Sequence, residues 1–319
     1  MLTAAKSTSS RILVVRLGAM GDILHALPAV ASLKTSYPGS RLTWIVEPKW
    51  APLLEDNPFI DRIVLLRRHT LSGLLESWRS LRAERYDFAV DFQGLVKSAL
   101  AARAARPGRI FGFHRSQLRE SAAALFYSHK TLSRAAHVVD KNLDLAADAG
   151  ATTLVRTFPL PAGRPEGALP PGDFVLASPL AGWRAKQWPI EHYRALAARL
   201  EAELGIPLVL DGPPGSGLPH CSSLPGLIFA TRHAAAVVGV DSGPLHLAAA
   251  LGKPGVAIYG PTDPARNGPY GDSLRVLRSP AAVTTYNRGT SIDESMRAIS
   301  SAQVFEALKA MLGARRSLP

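Results

Sequence analysis

Short apolar, β-branched runs alternate with amphipathic segments along the 319-residue chain, and glycine-containing turns separate them. Arg11 to Leu17 (RILVVRL) predicts a buried strand, because the run is too short for a helix and rich in Val and Ile. Gly18-Ala19-Met20-Gly21-Asp22 then forms a turn. Ile23 to Ser36 places its apolar residues on one face, which predicts a helix ending before Pro38-Gly39. Arg41 to Val46 is a second strand. This is a βαβ opening whose turn lies at the ligand-binding end of a parallel sheet. Only Gly18 and Gly21 occupy it, so it is no G-x-G-x-x-G fingerprint. Strands over Ile63–Leu66, Tyr86–Phe92 and Arg109–Phe113 follow, with helices over Leu74–Arg85, Lys97–Ala105 and Val138–Ala149.

Residues 157–172 hold five prolines and read as an extended linker. After them the pattern restarts. Phe174–Ser178 is a strand, Pro179–Gln187 a loop carrying Arg184 and Lys186, Pro189 to Leu204 a helix and Pro207–Leu210 a strand. The densest stretch is 239–271. Ala234–Val240 is a buried strand, Asp241-Ser242-Gly243 breaks it, and Pro244 suits the first position of a short helix over Leu245–Leu251. Gly255–Tyr259 is the next strand, and Gly260-Pro261-Thr262 the loop beyond it. The amino end of that short helix offers free N–H groups to a pyrophosphate; equally, Asp241 or Ser242 caps the helix and does no more. Ser300–Leu312 is a last amphipathic helix, with a course that allows it to cross back onto the first domain. The expected architecture is α/β: two Rossmann-like domains facing across a cleft, 1–158 and 173–319, joined by a Pro-rich linker at 159–172.

Composition changes this picture in three places. No apolar run approaches a membrane span, the apolar segment at the start is too short for a signal peptide, and Cys221 is the one cysteine, which excludes an internal disulfide; together these point to the cytoplasm. The net charge of +12 is uneven: residues 1–160 carry 22 Lys and Arg against 13 Asp and Glu, a net of +9, and the rest a net of +3. An anionic partner is therefore expected on the first half. Nucleic acid finds no supporting motif. No Asp-x-Asp occurs anywhere, so no carboxylate pair stands ready to hold Mg²⁺ beside a pyrophosphate.

Four motifs, GAMGDILHALPA (18–29), DFQGLVKSA (91–99), KQWP (186–189) and VDSGPLHLAAALGKPGVAIYGPTDP (240–264), with RESAAALFY (119–127) as a weaker fifth, resemble the ADP-heptose:lipopolysaccharide heptosyltransferases of glycosyltransferase family 9. The resemblance covers nearly the whole chain, and the form of the first motif is most similar to heptosyltransferase I. It implies a two-domain GT-B enzyme that transfers heptose with inversion from ADP-heptose to the Kdo residue of lipid A, with no metal and no cofactor. It also implies an anionic lipopolysaccharide-precursor acceptor and peripheral contact with the inner face of the inner membrane. Transfer of another sugar, transfer to a later core position, and sugar-nucleotide epimerisation on a similar scaffold remain open alternatives.

Within that resemblance the residues take roles. A sugar hydroxyl attacking an anomeric carbon needs a base, and Asp22 at a helix amino end suits it. The departing ADP needs fixed positive groups: Lys186 for the phosphate or heptose, with Ser242, Gly243, His246 and Thr262 on the pyrophosphate and Asp241 on heptose hydroxyls. Gly21, Arg67, Arg68, Gln93, Lys97 and Arg119 are assigned to the acceptor; for Lys97 and the arginines a solvated face is the equal alternative. The chain departs from the family in having Ser242 where Thr is common, Lys141 where an arginine is expected, and a short 212–228 region. A missing or truncated helix is expected there, which bears on the adenine contacts.

Overall fold

In the computed structural model, residues 10–285 and 288–316 are described. The chain divides into two compact units between Pro161 and Ala162. The first contains β1 (Arg11–Val15), α1 (Met20–Ser36), β2 (Arg41–Val46), β3 (Arg62–Leu65), α2 (Leu71–Arg82), β4 (Phe88–Asp91), α3 (Val96–Ala104), β5 (Arg109–Phe113), β6 (His129–Thr131) and α4 (Val138–Asp148). Its strands form one sheet in the order β3-β2-β1-β4-β5-β6, and every pairing is parallel. A parallel sheet covered on both faces needs continuous apolar strands. Ile12, Leu13, Val14 and Val15 on β1 and Ala89 and Val90 on β4 are accordingly fully buried.

The second unit contains β7 (Val175–Ser178), α5 (Ile190–Leu204), β8 (Leu208–Gly212), β9 (His220–Cys221), α6 (Leu224–His233), β10 (Ala236–Val240), α7 (Gly243–Ala250), β11 (Gly255–Tyr259), α8 (Pro264–Asn267), β12 (Leu274–Arg278), α9 (Glu294–Arg297) and α10 (Ser301–Arg316). Its sheet runs β12-β11-β10-β7-β8-β9, again all parallel. Counted from each unit's own first strand, both orders are 3-2-1-4-5-6, the doubly wound arrangement. Its chain direction reverses between the first and fourth strands, and ligands bind outside the carboxyl ends there. The switch points are therefore β1/β4 in one unit and β7/β10 in the other.

Three segments outside the two sheets bear on the sequence reading. The Pro-rich segment is anchored at both ends. Asn57 Nδ2 donates to the Pro159 carbonyl at 3.0 Å, the Arg164 N–H donates to the Pro225 carbonyl at 3.1 Å, and the Glu166 carboxylate accepts from Ser223 N–H and Oγ at 2.7 and 2.6 Å. The final helix α10 packs on α5 and on β10, β11 and β12 of its own unit, with Val304, Phe305 and Leu308 buried. Between β8 and β9 there is no helix, only residues 213–219, which turn through Gly215 and Gly217 at φ 81° and 75°. Residues 208–210 of β8 are only half-buried.

One glycine holds the loop after β4 in shape. Gly94 sits at φ 69°, and a Cβ built on it would meet Leu118 Cδ2 at 2.5 Å. An L-residue in the left-handed region costs about 1–2 kcal/mol before any clash. Gly94→Ala is expected to destabilise the first unit by about 1–3 kcal/mol, read as a lower urea midpoint; an unchanged midpoint would show that the loop relaxes freely.

Candidate active site

At the first switch point, the segment after β1 and the segment after β4 are tied together. The Leu17 N–H donates to Gln93 Oε1 at 2.7 Å, and Arg16 donates to the Phe92 carbonyl. Arg16 is itself buried, and its other amino group pairs with Asp22 Oδ1 at 2.7 Å. Asp22 Oδ2 accepts the Ala19 N–H at 3.1 Å. Helix α1 begins at Met20, so Asp22 stands inside its first turn, where the helix dipole favours a carboxylate. Its side chain is 47% exposed, open to an incoming group. Gly21 lies in the same turn.

Behind this loop Asp91 is fully buried at the end of β4. It accepts four hydrogen bonds, from Gln93 N–H, Gly94 N–H, Ser98 Oγ and Tyr127 Oη at 2.7–3.2 Å. Burial pushes the Asp91 carboxyl upward against the pull of those donors. Desolvation, reinforced by the Asp91 charge, also pushes the Tyr127 phenol up, so it remains a donor. Asp91 thus builds the loop that carries Gln93.

The acceptor candidates separate into two groups. Glu47, nearly buried, accepts Arg68 Nε at 2.9 Å and has Lys97 Nζ 3.8 Å away. Arg68, Lys97 and Glu47 therefore form one cluster past the carboxyl ends of β2 and β3. Arg67 instead turns to Glu76 on α2, 3.9 Å away and exposed. Arg119 is exposed, and its neighbour Glu120 accepts the Val96 N–H at 2.8 Å. Arg16, Glu47 and Asp91 were not among the sequence candidates. An arginine inside the apolar run from Ile12 to Leu17 is the available signal for Arg16.

At the second switch point Asp241 follows β10 directly and is buried. Lys186 Nζ lies 2.7 Å from its Oδ2 and 3.3 Å from its carbonyl oxygen, and His246 Nε2 lies 3.4 Å from Oδ1. Burial pushes the Asp241 carboxyl up, but the His246 hydrogen bond and the Lys186 charge outweigh it and hold the group at about 2. Lys186, assigned from the sequence to the phosphate or heptose, thus already has a carboxylate partner. Its ammonium also lies 4.5 Å from the centroid of the Trp183 ring, which Arg288 approaches from 5.3 Å.

Ser242 occupies the N-cap position of α7, yet its side chain makes no cap hydrogen bond. Its Oγ is buried without a partner among the described residues, and so is Thr262 Oγ1 in the loop after β11. Two orphaned hydroxyls at the ends of adjacent strands, beside the amino end of α7 at Gly243, form an acceptor-seeking rim. A buried hydroxyl without a partner costs about 1–3 kcal/mol, which a ligand oxygen would recover.

Two Rossmann-like units of this topology define the GT-B class of glycosyltransferases. The chain matches glycosyltransferase family 9 (heptosyltransferase) over residues 74–216 and 222–294, and it belongs to that family. It is 31% identical over 313 residues to lipopolysaccharide heptosyltransferase 1 of Escherichia coli K12, covering 85% of this chain and 94% of the relative. With lipopolysaccharide heptosyltransferase 1 of Pseudomonas aeruginosa it shares 30% identity over 82% of each chain. The structure of E. coli heptosyltransferase WaaC with ADP-2-deoxy-2-fluoro heptose superposes with a TM-score of 0.73 at 27% identity, covering 93% of this chain and 98% of that one.

The depressed Asp241 carboxyl has a defined acid signature. Its stabilisation is present above the unfolded value near 3.8 and is lost as pH falls towards about 2. The wild-type protein is expected to lose about 2 kcal/mol through this group between those limits, in excess of any acid loss by Asp241→Asn. Thermal unfolding of both proteins across that range measures it; parallel pH profiles would refute the assignment.

Proposed function

We propose that this chain is an inverting, metal-independent glycosyltransferase that moves heptose from ADP-heptose to the Kdo residue of a lipid A inner-core precursor. The observation that carries the reading is the rim at the second switch point: Ser242 Oγ and Thr262 Oγ1, buried and unpartnered among the described residues, beside the amino end of α7. Hydroxyl donors and N–H dipoles without a carboxylate pair suit a diphosphate bound without a metal. The likeness to a WaaC structure holding an ADP-heptose analogue supports the same donor.

In this reading the second unit holds the donor and the first the acceptor. The acceptor hydroxyl attacks the heptose anomeric carbon as the bond to the ADP oxygen breaks, and its proton passes to Asp22. Arg16 fixes the Asp22 carboxylate from one side and leaves it half exposed. Asp241, kept ionised by Lys186 and His246, accepts from heptose hydroxyls, while Lys186 and the α7 amino end draw off the charge that grows on ADP. Arg68, Lys97, Gln93 and Arg119 face an anionic acceptor, and the net +9 of residues 1–160 draws it in. The protein works in the cytoplasm, at the inner face of the inner membrane.

Asp22→Asn retains the size of the side chain and an oxygen for the Ala19 N–H. Transfer should fall roughly 10²–10⁴-fold, with ADP affinity nearly intact. Steady-state transfer and calorimetric ADP binding measure the two arms, and full activity in the folded variant would remove Asp22 from the chemistry. Activity should also survive excess EDTA; a complete loss restored by Mg²⁺ would refute the metal-free reading. Lys186→Ala leaves Asp241 without its cation, so donor affinity and turnover should both drop; normal values of both would return Lys186 to a purely structural pairing.

A further inference from the structure

Helix α2 divides its residues in an unusual way. Gly73, Ser77 and Leu81 form the buried face, and Ser77 Oγ is fixed to the Leu65 carbonyl at 2.9 Å. Four large apolar residues point the other way: Leu71 is 87% exposed, Leu74 42%, Leu75 45% and Trp78 42%. Their i, i+3, i+4, i+7 spacing makes a single stripe along one side of the helix. Single exposed leucines are ordinary on a protein surface; four in register on one 12-residue helix form a patch that calls for a partner.

Charge selects the partner. Residues 67–85 carry five arginines, at 67, 68, 79, 82 and 85, against Glu76 and Glu84. Both acids are engaged: Glu76 by Arg67 at 3.9 Å, Glu84 by Arg41 and Arg62 at 3.0 and 3.2 Å. Arg82 lies over the Trp78 ring, 4.3 Å from its centroid, so a cation borders the apolar stripe directly. A second copy of the chain would set this positive surface against itself. An anionic lipid surface meets both halves of the pattern, with acyl chains for the leucines and headgroup phosphates for the arginines.

We infer that α2 is an interfacial helix that lies in the plane of an anionic bilayer, with Leu71, Leu74, Leu75 and Trp78 dipped below the headgroups. The inference rests on the reading of the acceptor as lipid-borne, and it assigns the surface that brings enzyme and lipid together. Placement supports it. The helix starts three residues after Arg68, which shares Glu47 with Lys97, so the acceptor-binding edge of the first unit adjoins the docked face. An acceptor sugar protruding from the membrane would meet that edge while its acyl chains stay in the bilayer.

The test uses the full chain and acceptor-free vesicles of phosphatidylcholine, with or without phosphatidylglycerol. Leu71→Ser/Leu75→Ser alters exposed positions only, so the fold, checked by circular dichroism, and ADP affinity should be unchanged. Partitioning of the double variant onto anionic vesicles should weaken at least roughly tenfold, a loss of about 1.4 kcal/mol or more. Arg79→Gln should weaken binding to anionic vesicles alone and flatten its salt dependence. Wild-type tryptophan emission should shift to the blue on vesicles, and Trp78→Phe should abolish the shift. Unchanged vesicle binding by the double variant would overturn the inference, as would a wild-type dimer in sedimentation that the double variant abolishes. Because the vesicles contain no acceptor, a failed transfer assay with vesicle binding intact would count against the transferase reading and leave the docking surface standing.

Discussion

Each unit buries a carboxylate at the end of its fourth strand, beside the switch point, and each must compensate it. Asp91 closes β4, and Asp241 follows β10 by one residue. An isolated buried carboxylate is too costly to keep. The two units meet the cost by different means. Asp91 is surrounded by neutral donors, two backbone N–H groups, Ser98 and Tyr127, and its carboxyl is pushed up. Asp241 is met by Lys186 and His246, and its carboxyl is pulled down. The first arrangement is a brace: it shapes the loop bearing Gln93. The second is an electrostatic device, a fixed anion and cation at the end where a diphosphate is proposed to bind.

Much of the scaffold was legible from short-range pattern. Buried parallel strands such as Arg11–Val15 and Ala236–Val240 announce themselves as β-branched runs, and Pro244 marks the first turn of α7. The weaker elements were not. Strand β9 is two residues long and β6 three, β12 is largely exposed, and α6 opens with a proline and a glycine, so none carries a strong period. The sequence pattern ends the Asp22 turn one residue before Ile23, whereas the helix already begins at Met20; the glycine at position 21 masks its first turn.

The site was legible as a set of residues and not as a set of partnerships. Lys186 and Asp241 were both singled out, but 55 residues separate them, and nothing local says that one neutralises the other. Arg16 reaches Phe92 across 76 residues, and Glu47 gathers Arg68 and Lys97 from two further elements. Such pairings are products of sheet order. Once β1 lies beside β4, the residues beyond their ends are neighbours regardless of distance along the chain. The asymmetry of net charge was visible in composition, yet the leucine stripe of α2 was not, because a run with period near 3.6 reads as an inward face until the opposite face is seen to be the buried one.

The pairing of Lys186 with Asp241 also constrains how this protein can diverge. Loss of the lysine alone strands a buried anion, and loss of the aspartate alone strands a half-buried cation beside Trp183; either step costs more than the pair itself contributes. Two neutral residues of matching volume would be tolerated by the fold, but a lineage cannot reach them one substitution at a time without passing through a weakened protein. The two positions are therefore coupled in descent, and a change at one should be found only in the company of a change at the other.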